Sequence, residues 1–161
     1  MTYTVDRSTN EIQKYKDTTL DCLATYIKNR VNKYAELRGF PEIIKTAIIT
    51  RFTANIIGDN LPLLMIYRES CTFNYEGHKR ICNIGLKYYL SIPDQTYLLG
   101  LIDWVSRAIN KSLIDINQEQ IGIEIATEER SQSYPLDNSS YNNATSPYIV
   151  GNFNIIDDVE V

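Results

Sequence analysis

The chain has 161 residues, 43% of them apolar and 22% charged, with a formal net charge of −4. That length suits one domain with enough apolar material for a core, which excludes wholesale disorder. The mild acidity leaves no basic footprint for nucleic acid or an anionic membrane surface, and no stretch approaches the ~18 apolar residues of a membrane span.

Residues 1–6 lack the basic segment and apolar run of a signal peptide. Ser8 and Glu11 then have the spacing of a capping box, in which each side chain satisfies the other residue's amide. Behind them Ile12, Tyr15, Leu23, Tyr26, Ile27, Val31, Tyr34 and Leu37 recur at helical spacing. The pattern predicts a helix over residues 10–38, capped by Gly39 and blocked by Pro41.

Residues 41–57 support two readings. Ile44, Ala47, Ile48 and Phe52 fit a helical period, which is the preferred reading, whereas the β-branched run 48–53 suits a strand. Gly58, Asp59 and Asn60 signal a turn. Residues 61–67 then form an apolar run of strand length, with Pro62 acceptable only near its start.

Cys82, Ile84, Leu86, Tyr88, Leu90 and Ile92 alternate with Asn83, Gly85, Lys87, Tyr89 and Ser91. This is a strand with one buried and one wetter face. Residues 69–79, with Glu76 and Gly77 near the tip, make a hairpin connection, so the two strands are expected to be antiparallel neighbours.

Asp94 is the expected N-cap of a second helix, whose core face is Tyr97, Leu98, Leu101, Ile102, Val105, Ala108, Ile109 and Leu113. Asp103, Arg107 and Lys111 mark its solvated side, and Trp104 reads as core filler beside the stripe. Ile121, Ile123 and Ile125 alternate as a further strand. Residues 131–147 form a polar loop rich in Ser, Asn and Tyr. A last strand spans 148–158, with an acidic tail over residues 156–161. These elements define a single α+β domain over residues 1–161. Its sheet is antiparallel or mixed, of about four strands, with two to three helices on one face.

The residues offer little for catalysis. The single histidine, His78, falls on an exposed basic turn, and no His, Cys or carboxylate cluster has metal-ligand spacing. Three cysteines without CxxC spacing argue against a disulfide framework; Cys22 and Cys82 sit at apolar-periodic positions and read as reduced core thiols. A Cys71–His78 nucleophile pair has nothing in the sequence to orient it. Glu128–Glu129 and Asp157–Asp158 are adjacent strand residues facing opposite ways, so they protect strand ends rather than share a proton. No Walker or GxGxxG glycine pattern occurs, and the triplets at Asn138 and Asn143 are chance glycosylation matches. The expectation is a non-enzymatic domain without cofactor or metal. The use of 12 tyrosines suits a chain that binds other proteins.

A long first helix leads to Leu61–Pro62 and an apolar strand ending Ile66-Tyr67-Arg68-Glu69. A hairpin, an alternating strand, a second helix and two late strands around a polar loop follow. This order resembles the tail terminator proteins of tailed bacteriophages and related injection particles. The resemblance implies a hexameric ring that caps the tail tube and offers a docking surface to the neck, assembled in the host cytoplasm and carried in the virion. The implied partners are further copies of the chain, the tail tube protein and a neck or connector protein, with no specific nucleic-acid sequence and no membrane. Subunit contacts are then expected at Tyr67, Glu69, His78, Arg80, Tyr89 and Tyr148. A head-completion or neck adaptor is the alternative within the same class. A small ligand- or peptide-binding domain, such as an inhibitor or immunity protein, is the alternative outside it.

Overall fold

The computed structural model describes residues 14–51, 61–74, 76, 78–90, 95–137 and 146–159. The Ser8–Glu11 box, the turn at 58–60, Gly77, Asp94 and the centre of the polar loop lie outside them.

Helix α1 spans Thr18–Leu37 and helix α2 spans Gln95–Glu119. The strands are β1 (Thr46–Ile49), β2 (Leu63–Phe73), β3 (Lys79–Tyr89), β4 (Glu124–Ile125), β5 (Gln132–Ser133), β6 (Leu136–Asp137), β7 (Ser146–Pro147) and β8 (Ile149–Asp158). One mixed sheet runs in the order β1-β2-β3-β8-β4, with β5 also on β8; β6 and β7 form a separate small ladder. Only β1–β2 is parallel. The expected α+β class with a mixed sheet is observed, with more strands than the four expected and with two helices on the core face.

Strand β3 organises the sheet. It pairs with β2 on one side and with β8 on the other over nearly its whole length. Its alternation has the expected result: Cys82, Ile84, Leu86 and Tyr88 point into the core. There they meet Leu64 and Ile66 of β2 and Ile149, Phe153 and Ile155 of β8. Above lie Leu23, Ile27 and Val31 of α1 and Leu98, Ile102, Val105, Ile109 and Leu113 of α2. Full burial of each such side chain contributes about 1.5–3 kcal/mol. Tyr88 is the polar exception, and its hydroxyl donates to the Ile43 carbonyl at 2.7 Å. Burial pushes its phenol far above the ordinary range, so it remains a donor.

Several expectations are corrected. Helix α1 begins at Thr18, with Asp17 as its N-cap accepting from the Leu20 amide at 3.1 Å. Tyr15, expected in the stripe, is 61% exposed. Leu37 and Tyr97 are also exposed, because the stripe turns away from the sheet at those helix ends. The C-terminus of α1 behaves as expected: Gly39 takes φ +75° and donates to the Glu36 carbonyl, while Phe40 donates to Ala35.

Within the preferred helix over 41–57, residues 46–49 form a strand instead, and residues 52–57 lie outside the described residues. Tertiary bonding decides between the two readings. Asn32 of α1 accepts from the Ile43 and Ile44 amides at 3.0 and 2.8 Å and donates to the Ile44 carbonyl at 2.8 Å. The Lys45 amide donates to the Pro62 carbonyl at 2.9 Å, and β1 then runs beside β2. Asn117 of α2 makes a matching clamp, with two 2.8 Å bonds to the Ile125 backbone in β4. The hairpin connection is also shorter than the expected 69–79, since β2 continues to Phe73 and β3 starts at Lys79.

The cysteines differ most from expectation. Cys71 and Cys82 are directly opposite in the β2–β3 register and form a disulfide, while Cys22 is exposed on α1. A register shift between Arg68 and Ser70 turns Cys71 to the same face as Cys82.

Two outcomes follow from this fold. Asn32→Ala leaves two amides of the buried Ile43–Ile44 pair without their acceptor, and urea unfolding should show a loss of about 2–3 kcal/mol. Alkylation of the folded protein without reductant, read by mass spectrometry, should label Cys22 alone; labelling of Cys71 or Cys82 contradicts the disulfide.

Candidate functional site

The six residues expected at subunit contacts fall into separate places. Tyr67, Tyr89 and Tyr148 share the sheet face opposite the helices. Tyr89 was expected on a wetter face but is only 5% exposed. It stacks on Tyr148 with ring centroids 4.8 Å apart and packs with Leu63, Met65, Ile48 and Leu61 in a second apolar cluster. The start of β2 is therefore buried on both faces, which accounts for its unbroken apolar run.

Tyr67 lies across Gly85, where an added Cβ would come within 2.5 Å of its ring. The Arg51 guanidinium sits 5.0 Å from that ring and bonds to Glu69 at 2.7 Å. His78 is exposed in the hairpin connection; its amide donates to Asn74 and its carbonyl accepts from Val159. Cys71 is tied to Cys82, so it provides no free thiol beside His78.

Arg80 belongs to a charged cluster that the sequence reading did not assemble. Arg68 Nε bonds to Asp17 at 2.7 Å, and Arg68 Nη2 bonds to Asp157 at 3.0 Å. Arg80 Nε reaches the other Asp157 oxygen at 3.0 Å. Asp157 is 9% exposed and Arg68 17%. Two guanidiniums and two carboxylates thus join the α1 N-terminus to β2, β3 and β8. Burial by itself would raise the Asp17 carboxyl, but the bonds from Arg68 and the Leu20 amide outweigh it and hold the group below its ordinary value. A carboxylate held ionised between cations is a clamp rather than a general acid. Arg68 beside an apolar strand run was one sequence signal for it; Asp157 was another, expected to protect a strand end but found 9% exposed between two guanidiniums.

A second polar set joins the helices. The Tyr34 hydroxyl donates to Asp115, which also meets Lys111 at 3.3 Å and Arg30 at 3.6 Å. Arg30 bonds to Glu119 at 2.8 Å. Burial, reinforced by the Asp115 bond, pushes the Tyr34 phenol up to about 12.

Exposed apolar side chains occur at several places, including Tyr97 and Leu99 at the start of α2. At the C-terminal end of α1, Leu37 is 78% exposed, and Phe40 packs edge-on against Trp104 at 5.1 Å. Trp104 is thus half core filler and half surface. At the far end of the β2–β3 hairpin, Phe73 is 56% and Ile81 49% exposed, on opposite faces of the ladder, with Phe73 directly across from Arg80. A hollow of about 850 Å³ along the β4–β8 edge is walled by residues 122–128 with Lys79, Ile156 and Asp158, a mixed polar and apolar lining. Among the described residues no three His, Cys, Asp or Glu side chains are grouped to hold a metal, and no helix is long and apolar enough to cross a membrane.

Compared with known protein families and with curated proteins, the sequence finds no match.

The charged cluster sets an acid dependence. A carboxyl with a lowered folded pKa stabilises the fold above its unfolded value near 4 and loses that contribution as pH falls through the folded value. Asp17→Asn keeps a good N-cap but removes the charge facing Arg68. Urea unfolding at neutral pH should show a loss of ~1 kcal/mol for this variant, with the gap to the unmodified protein closing below about pH 4. A gap independent of pH contradicts this role.

Proposed function

We propose that the chain is a tail terminator, a structural subunit that forms a hexameric ring on the last ring of a tail tube and meets the neck on its other side. The observation that supports the reading is that exposed apolar side chains stand at both ends of the domain. Leu37, Phe40 and Trp104 lie at the C-terminal end of α1, and Phe73 and Ile81 lie beyond its N-terminal end. The N-cap Asp17 is tied through Arg68 and Asp157 to the hairpin side, and a 20-residue helix spans roughly 30 Å. Exposed apolar side chains at two separate ends of one subunit would suit contacts with neighbouring copies. Contacts between unlike surfaces on identical subunits close into rings.

The order of the elements supports the same reading. A long helix, a β2–β3 hairpin, a second helix and late strands follow one another, with β8 returning to the middle of the sheet. The charged groups described above are engaged in clamps between elements, which suits a rigid building block. In this role the protein works by burying surface against its neighbours and by ending tube growth, with no bond made or broken.

Light scattering on the purified chain, followed by negative-stain imaging with tail tubes, tests the proposal. The expected result is a ring, free or seated at tube ends, and tubes that stop elongating. A monomer that also leaves tube ends bare overturns it. Co-purification with portal and not with tube reassigns the ring to the head side of the neck.

A further inference from the structure

Strand β2 has two unlike halves. From Leu63 to Ile66 it lies between β1 and β3, and all four side chains are buried. Beyond Ile66 the ladder with β1 has ended, so the half from Tyr67 to Phe73 pairs with β3 alone and forms an edge of the sheet. On the helix side this outer half offers Arg68, Cys71 and the exposed Phe73. On the other side stand Tyr67, lying across Gly85, and the exposed Ser70 and Thr72. None of these side chains is fully buried, so the apolar anchoring of the first half is missing from the second.

The outer half is fastened by other means. At its base Arg68 bonds to Asp17 and Asp157. The ion pair of Arg51 with Glu69 adds little, because its side chains are 54% and 38% exposed. Past the bulge between Arg68 and Ser70, the hold on the strand is covalent: Cys71 is bonded to Cys82, directly opposite it in the ladder. Cys82 is fully buried in the core, whereas Cys71 is only half-buried against the edge of it. The two sulfurs therefore differ in access, and Cys71 is the one a reagent reaches.

We propose that the Cys71–Cys82 bond is a redox-operated lock, closed in an oxidising medium and opened by dithiols, that sets the order of residues 70–74 while the rest of the domain stays folded. A thiolate of the dithiol attacks the Cys71 sulfur, and the S–S bond breaks as Cys82 leaves and takes up a proton. The second thiolate of the dithiol then displaces Cys71, which is protonated in turn. The dithiol ends as its own disulfide, its two hydrogens now on the cysteines. Cys82 keeps its place, because β8 holds the other edge of β3 and the Asp157 carboxylate lies 4.0 Å from its sulfur. Cys71 has no such support, and the end of β2 is released. Closure is the reverse step: the ladder returns the two thiols to opposite positions, and a small disulfide such as oxidised glutathione takes up their electrons and leaves as two thiols.

Hydrogen exchange read by mass spectrometry tests the lock on the oxidised protein and on the same protein under dithiothreitol. Reduction should speed exchange at residues 70–74 by on the order of tenfold or more, with α2 and β8 unchanged. Cys71→Ser should exchange like the reduced protein, with or without dithiothreitol. Oxidised glutathione should return the reduced protein, and not the variant, to the slow rate.

Equal rates at residues 70–74 in the two redox states overturn the proposal, because the bond then holds nothing. Faster exchange throughout the chain overturns it as well, since the bond would then staple the whole fold rather than lock one strand end. A protein whose mass gains no hydrogens under dithiothreitol has no bond to open, and the proposal falls with it.

Discussion

The pairing of β3 on both of its edges is the constraint on which the rest of the structure depends. Because β2 and β8 both bond to it, the alternation within β3 sets which residues of three strands face the helices. A slip of one residue would exchange Ile84, Leu86 and Tyr88 for Asn83, Gly85 and Lys87 beneath α1 and α2. Gly85 adds a second restraint on the opposite face, since the Tyr67 ring occupies the space a side chain would need. The wide apolar core and the close Tyr67–Gly85 contact therefore demand the same register.

Polar groups then hold the helices at one position along that sheet. Apolar packing alone tolerates small shifts of a helix over a strand surface, whereas hydrogen bonds and ion pairs with defined geometry do not. Asn32 and Asn117 play equivalent parts on the two helices, each standing in for a strand neighbour where a short strand begins. Arg68 and Asp157 fasten the other end of α1, and the Tyr34–Asp115 bond ties α1 to α2.

Features that depend on near neighbours were legible in the sequence. The inward side of the alternation from Cys82 to Leu90, the α2 stripe from Leu98 to Leu113 and the left-handed glycine at 39 are short-range patterns, and each appears where expected. Features fixed by distant partners were not. Residues 46–49 carry both helical and strand patterns, and Asn32 with Pro62 decides the outcome. The Cys71–Cys82 bond depends on a bulge that no spacing rule reveals. Tyr89 was misread for a related reason: a position facing away from the helices was taken as wet, but Ile48, Leu61 and Tyr148 cover it. At the candidate site, the sequence pointed to Tyr67 and Arg80 but not to Leu37, which its helical period had assigned to the core.

The location of β8 has a consequence for how the chain is made. This strand follows every other long element in the chain, yet it is inserted between β3 and β4 in the middle of the sheet. While a nascent chain lacks it, one whole edge of β3 stands open with its amides and carbonyls unpaired, and such an edge can recruit a strand from any neighbour. The best substitute is β8 of another copy, which presents the same ladder and the same Phe153 and Ile155. Crowded synthesis thus sets strand exchange between copies against correct closure within each one. Completing its own sheet before meeting other copies is therefore a condition of correct folding for this topology.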